Sequence, residues 1–413
     1  MGCVIVGGGP AGMVLGLLLA RAGVEVTVLE KHGDFLRDFR GDTVHPSTLQ
    51  LLDELGLIGR FNELPHSKLS EVAFPLATGE SVVVANFARL KTRYPYVAMV
   101  PQWDLLNLLA EAGRAEPTFK LLMRHEVTEL IRADGGRVTG VRGDFGEIAA
   151  DLTVACDGRW SLARQLPELP PKEFPVPIDA WWFRLPRRPE DTPNALTPRA
   201  GNGRFAIVIP REGFLQLAYI ARKGSDAQLR ARGIEAFRAD IAELMPELAG
   251  RVDALESMDD VKHLDVRLNR LNRWHLDGLL CVGDAAHAMS PVGGVGINLA
   301  IQDAVAAATL LAEPLLRGGP VEPGRLARVR SRRLLPTIAV QLLQQMMHRV
   351  LVAPIIEGRR MGPPKPALAL MRHVPAASFI PAYLIGIGLR AEHAPAFARR
   401  SSSPMDARPG SGS

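Results

Sequence analysis

Residues 3–30, CVIVGGGPAGMVLGLLLARAGVEVTVLE, decide the fold. The stretch Cys3-Val4-Ile5-Val6 has the apolar, β-branched composition of a short buried strand. Gly7-Gly8-Gly9-Pro10-Ala11-Gly12 follows, then an apolar helix over 13–22 closed by Gly23. Residues 25–29 form a second strand that ends in Glu30, eighteen residues beyond Gly12. Strand, GxGxxG, helix, strand and acid together make a dinucleotide-binding βαβ unit. The glycines Gly7, Gly9 and Gly12 let the backbone approach a pyrophosphate at the helix N-terminus. Glu30 can accept hydrogen bonds from a ribose diol.

A related pattern returns near residue 281. The apolar run 279–282 stops at Gly283-Asp284, and a loop with Pro291, Gly293, Gly294 and Gly296 leads into a helical pattern from about 297 to 311. Such a loop offers bare backbone N–H groups to an anion, and a carboxylate at a strand end is suited to positioning a ligand. Between these stretches, residues 151–155 read as a strand ending in Cys156-Asp157-Gly158.

The remaining chain suggests two bodies that interrupt one another. A helix is expected over 46–55, strand-like alternation near 71–74 and 80–87, and a helix over 102–112. A small antiparallel meander is expected around 127–130, 137–141 and 147–150. A proline-rich passage over 167–200 holds Trp181-Trp182-Phe183, and 205–209 with 214–221 form a hairpin about Arg211-Glu212-Gly213. One helix is expected over 226–245, a returning strand over 261–264, and a long helix over 325–351. The expected division is a nucleotide-binding domain over 1–70, 100–170 and 266–315, and a second, sheet-containing domain over 71–99 and 171–265. A C-terminal helical region over 316–398 and a disordered tail over 399–413 complete it.

Composition narrows the function. The chain has 413 residues, 47% hydrophobic and 23% charged, with a formal net charge of +5, ordinary for a globular enzyme. Its arginines are scattered rather than interleaved with aromatics, so a nucleic-acid partner is not expected. Cys3, Cys156 and Cys281 lie in apolar strand-like runs, which suits buried reduced thiols and a cytoplasmic location. No spacing suggests a metal site, no signal peptide is read, and no apolar run approaches the roughly 20 residues of a membrane span.

The three motifs in this order resemble the para-hydroxybenzoate hydroxylase family of single-component FAD-dependent aromatic monooxygenases, over about residues 3–315. The resemblance implies an α/β fold: a Rossmann-like FAD-binding domain interleaved with an antiparallel-sheet substrate domain, plus C-terminal helices. It implies that Gly7, Gly9, Gly12, Glu30 and Lys31 serve the ADP part of FAD. It also implies that Arg40 and Gln102 lie near the flavin and that Asp157 and Gly158 sit at the groove shared with NADPH or NADH. Asp284 would hold the ribityl–phosphate region, and Gly294, Gly296, Ile297 and Asn298 the ring. Pro291 and Val292 would line the face where oxygen reacts. The implied reaction uses NAD(P)H and O2 to hydroxylate an aromatic, polycyclic or quinone-like small molecule through a flavin C4a-hydroperoxide.

Arg40, Tyr219 and Pro291 are the candidate catalytic residues, Tyr219 as the group that ionises a phenol. Trp182, Phe183, Ile207, Ile209 and Gln216 are candidate pocket walls, and His287 is expected to orient the loop. Other readings on the same fold are a halogenase, whose tryptophan signature finds only an echo in 181–186, a Baeyer–Villiger oxygenase, or a non-catalytic FAD-fold binder. A monomer or homodimer is expected. The apolar segments 368–371 and 378–389 are expected to bury against the substrate domain, with a peripheral membrane role as the other reading.

Overall fold

The structure, a computed structural model, describes residues 2–36, 43–75, 81–189, 191, 196–211, 213–360 and 362–401. Its organising element is a six-stranded sheet in the order His275–Leu276, Leu279–Cys281, Leu152–Ala155, Cys3–Val6, Val26–Glu30, Phe119–Met123. All neighbours pair in parallel except the antiparallel edge strand His275–Leu276. Val6 stands level with Ala155 and Leu29, and Ala155 with Cys281. The register therefore ends three neighbouring strands together, and the chain leaves each one into a motif.

Strand alternation sorts the core. Cys3 and Ile5 pack under the helices Pro10–Arg21, Gln102–Arg114 and Gly296–Leu316, while Val4 and Val6 pack on Val141 and Ala150 of the meander behind. The meander itself runs Val127–Arg132, Val138–Gly143, Gly146–Ala149, as expected from the sequence. Gly296–Leu316 is the described helix long and apolar enough to span a membrane, against the expectation that no run would be. It is instead largely buried at the centre of the core.

The second body is a five-stranded antiparallel sheet in the order Thr197–Gly201, Arg204–Pro210, Phe214–Arg222, Ile178–Pro186, Lys262–Leu264. One face, with Trp181, Phe183, Leu217 and Tyr219, is sealed by Phe237 and Ile241 of the helix Gly233–Leu244. The other face looks toward the first body. A helical C-terminal segment crosses both: Pro323–Met347, a π-helical turn His348–Val352, then Lys365–His373 and Phe379–Gly386 over the strand Ser81–Asn86.

Several expected boundaries shift. The helix over 226–245 is two, Asp226–Ala231 and Gly233–Leu244, because Gly233 takes a φ of +78° between them. The strand Phe119–Met123, unread in the sequence, completes the main sheet beside Val26–Glu30. The regular α-helix expected to Leu351 ends at Met347. The expected tail begins with placed residues: Arg400 donates its N–H to the Glu54 carbonyl at 3.1 Å. Residues 402–413 lie outside the described ones.

Candidate active site

The three loops at the ends of the parallel strands line one cavity of about 1270 Å³, which continues to the open face of the antiparallel sheet. A drug-sized molecule needs roughly 300–1,000 Å³, so this volume has room for a cofactor and a substrate together. Its lining includes Gly7, Gly8, Gly9, Glu30 and Lys31 from the first loop, Gln102, Asp157, Gly158 and Asp284, and Pro291, Gly294, Gly296 and Ile297 from the third.

The glycine loop is built for close approach. A Cβ on Gly12 would sit 2.0 Å from the Gly7 carbonyl oxygen, and one on Gly7, at φ +103°, would meet Cys156 O at 2.6 Å. Gly9 meets nothing within 4 Å, so its open side faces the cavity. The helix Pro10–Arg21 that follows has no side-chain cap and no acid in its first turn. Its amide dipoles are left for an anionic ligand. Glu30 accepts from Gly8 N on one oxygen and His32 N on the other, both at 3.0 Å, which pins the loop to the strand. Lys31 is half-exposed and lies 3.6 Å from Glu126.

Asp157 accepts from Leu162 N at 3.0 Å through Oδ2, while Oδ1 is buried with no hydrogen-bond partner among the described residues. Burial raises its pKa, against the opposing pull of Ser161, backbone N–H groups and Arg164. A buried carboxylate oxygen without a donor is a place for a ligand hydroxyl. Asp284 stands across the groove with Arg159 Nη2 at 3.6 Å, and its carbonyl accepts from Arg164 Nη1 at 2.7 Å. The cradle, the uncapped helix and the orphaned oxygen fit an extended dinucleotide such as FAD.

The third loop is held from both sides. Thr43 Oγ1 donates to Gly294 O at 2.9 Å, and Asn298 Oδ1 accepts from Ser47 at 2.8 Å and Thr48 at 2.7 Å. From the other side, Gln344 accepts from Ser290 N at 3.1 Å and donates to Ser290 O and Val292 O at 2.7 and 2.9 Å. Ser290 Oγ meets His348 Nε2 at 2.9 Å. Pro291 is thereby fixed at the junction of groove and chamber.

The chamber wall follows strand parity. Ala180, Trp182, Ile207, Ile209, Gln216, Ala218 and Ile220 face the cavity. Tyr219, one residue out of phase, faces the opposite core against Trp181 and Phe237, and burial pushes its pKa up to about 12. The phenol-ionising role expected of Tyr219 is therefore excluded by its position, and Phe183 is likewise core rather than wall. Arg40 lies outside the described residues.

Comparison with known proteins decides the family. The profile of the FAD binding domain family matches residues 1–337. The chain is 34% identical over 378 residues to 6-methylpretetramide 4-monooxygenase of Streptomyces rimosus, covering 89% of this chain and 87% of that one. It is 29% identical over 317 residues to the rifampicin monooxygenase of Streptomyces venezuelae, covering 73% of this chain and 62% of that protein's length. The solved anhydrotetracycline hydroxylase from Streptomyces rimosus superposes with a TM-score of 0.73 at 24% identity, over 94% of this chain and 76% of that one.

The chain belongs to the FAD-dependent aromatic monooxygenase family.

As in its expected fold class, this monooxygenase combines a mixed α/β nucleotide fold with antiparallel sheet and C-terminal helices, and its cofactor is FAD. Several of its site residues escaped the sequence reading. Arg211, read only as part of a hairpin turn, is buried at 5% exposure, lines the chamber, and donates through Nε to Gln216 Oε1 at 3.1 Å. Gln344 and His348 arrive on a helix more than fifty residues beyond the loop they grip, without a local motif to announce them. His45 and His348 are both pushed down to about 4, chiefly by burial, so each is a neutral imidazole; His45 donates Nδ1–H to Ile385 O at 2.7 Å. Neither serves as a cation in the site.

Proposed function

We propose that this monooxygenase hydroxylates a polycyclic aromatic small molecule, of the polyketide kind named for its relatives, using O2 and NADPH or NADH. The continuity of groove and chamber carries the reading: the Pro291 loop stands between the FAD cradle and an apolar wall of Trp182, Ile207 and Ile209. We assign the cofactor-binding domain to residues 1–70, 100–170 and 266–315 and the substrate domain to 71–99 and 171–265. The three buried free thiols suit a cytoplasmic setting.

Bound FAD would take reducing equivalents from the nicotinamide and deliver one oxygen atom of O2 to the substrate ring. The chain's own residues do the rest. Gly7, Gly9, Glu30 and Lys31 would hold the ADP end, with Gly12 letting the helix close up behind the loop, and Asp157 and Gly158 the groove that the nicotinamide cosubstrate shares. Gln102 and Asp284 flank the middle of the cofactor. The amides of Gly296, Ile297 and Asn298, at the start of a helix with no side-chain cap, would hold the ring end of the cofactor and favour negative charge there. Pro291 closes the face where substrate and oxygen meet. Trp182 and Ile207 exclude water and stack the substrate's rings, while Arg211 and Gln216 orient an acidic oxygen on it.

The test is NADPH and NADH consumption by the FAD-loaded protein across a panel of polycyclic phenols and quinones, with product masses. Substrate-stimulated consumption with an oxygenated product supports the assignment. A panel-wide absence of both stimulation and product, with FAD bound, overturns it.

A further inference from the structure

We propose that the C-terminal surface formed by residues 342–390 docks on an anionic lipid bilayer, so that apolar substrate meets the cavity from the membrane side. The docking draws its purpose from the apolar-substrate reading above, but its physical basis is separate.

Charge comes first. The whole chain carries +5. Between 342 and 390 there are six cations, Arg349, Arg359, Arg360, Lys365, Arg372 and Arg390, against the single acid Glu357. That segment alone accounts for +5, and the rest of the chain balances to zero. All six cations are exposed.

Exposure comes second. Leu370, Val374, Phe379, Ile380, Tyr383 and Leu389 stand between 37% and 59% exposed on the same segment. On Lys365–His373 they are not the cavity-facing residues: Ala367, Leu368 and Met371 line the cavity, while Leu370 and Val374 lie on another side. A helix apolar on two sides calls for a cover on both. The cavity substrate covers one, and the surface leaves the other open.

Geometry comes third. Lys365–His373 and the following 375–386 segment are apolar enough together for a span but meet at 112°. Elements so bent cannot cross as one rod, and they suit lying in the interface with apolar side chains dipped and arginines at the headgroups. A second copy of the chain is the poorer occupant, since a two-fold contact would set this +5 surface against itself.

Flotation of the full-length, FAD-loaded protein with vesicles tests the docking, without substrate. Phosphatidylcholine vesicles are compared with phosphatidylcholine–phosphatidylglycerol vesicles. The wild type is expected to float with the anionic vesicles and to come off as salt rises. Lys365→Glu/Arg372→Glu and Leu370→Glu/Ile380→Glu are each expected to weaken flotation at least about tenfold, with flavin content unchanged. The altered side chains are exposed, and the salt titration of the wild type stands independently of any variant. Absence of flotation, flotation indifferent to salt and to both variants, or a dimer that both variants dissolve without vesicle binding would each overturn the docking. None of these would touch the hydroxylation itself, which is measured in solution.

Discussion

His287 Nε2 lies 2.5 Å from Asp303 Oδ2, and the two side chains are 1% and 0% exposed. Arg333 Nε reaches the other Asp303 oxygen at 2.9 Å and is itself 1% exposed. His287 leaves the Asp284 strand end and Asp303 sits on the helix that starts at Gly296, so this buried contact ties the two ends of the glycine-rich loop.

Asp303→Ala is therefore expected to cost about 3 kcal/mol, because it takes the nearer carboxylate from a buried guanidinium that keeps Glu392 at 3.4 Å and the Arg390 carbonyl at 3.0 Å. Urea denaturation measures the loss, and flavin release on gel filtration should accompany it. Burial opposes ionisation of Asp303, but His287 and Arg333 outweigh it and hold the carboxyl below its ordinary value. The stability this contributes is present above the unfolded carboxylate value and is lost only as pH falls through the lower folded one.

A separate loss on acidification begins earlier. His45 and His348 titrate at about 4 in the folded chain, against an ordinary value of about 6.5. Between those values the unfolded chain binds the protons and the folded chain does not. Stability should be level above about pH 6.5 and fall toward pH 4, by up to about 3 kcal/mol for each histidine. Thermal melts across that window should show the slope, and His45→Gln/His348→Gln should flatten it.

Two glycines separate folding from flavin binding. A Cβ at Gly12 collides with the chain's own backbone, so Gly12→Val should fail to fold or lose several kcal/mol. A Cβ at Gly296 meets only Met289 Cβ, at an ordinary 3.7 Å. Gly296→Val should keep its secondary structure and bind FAD at least about tenfold more weakly. Circular dichroism with a flavin titration distinguishes the two; full-strength FAD binding by Gly296→Val would contradict the placement of the ring at this helix start.

Adjacent strand positions separate the chamber from the core. Trp182→Ala removes an apolar wall and should raise KM about tenfold or more. Tyr219→Phe should leave KM and kcat alone and cost about 1 kcal/mol of stability. A Tyr219→Phe enzyme with kcat reduced a hundredfold would restore the catalytic role that its packing denies.

What the sequence made legible were features with a local physical signature. Glycines, an acid and strand–helix alternation over 3–30 declare a dinucleotide cradle, and parallel neighbours bring Asp157 and Asp284 beside it. Trp182 as a wall and Tyr219 as a catalytic group both read as candidates, since composition does not say which face of a strand is wet until the sheet's partners are known. Arg211 stood only as part of a hairpin turn, and its side chain is buried. Gln344 was invisible because a carboxamide gripping backbone carbonyls of a distant loop leaves no spacing to find. Phe119–Met123 was missed because a short run with a lysine and little alternation carries a weak strand signal.

The most direct measurement is a turnover in heavy-oxygen-labelled O2, with NAD(P)H and a polycyclic aromatic substrate, read by mass spectrometry of the product. One labelled oxygen atom in the product, with flavin bound to the protein, is the expected result. A product whose added oxygen comes from water, or an oxidised product that gains no oxygen, would contradict the assignment as a monooxygenase.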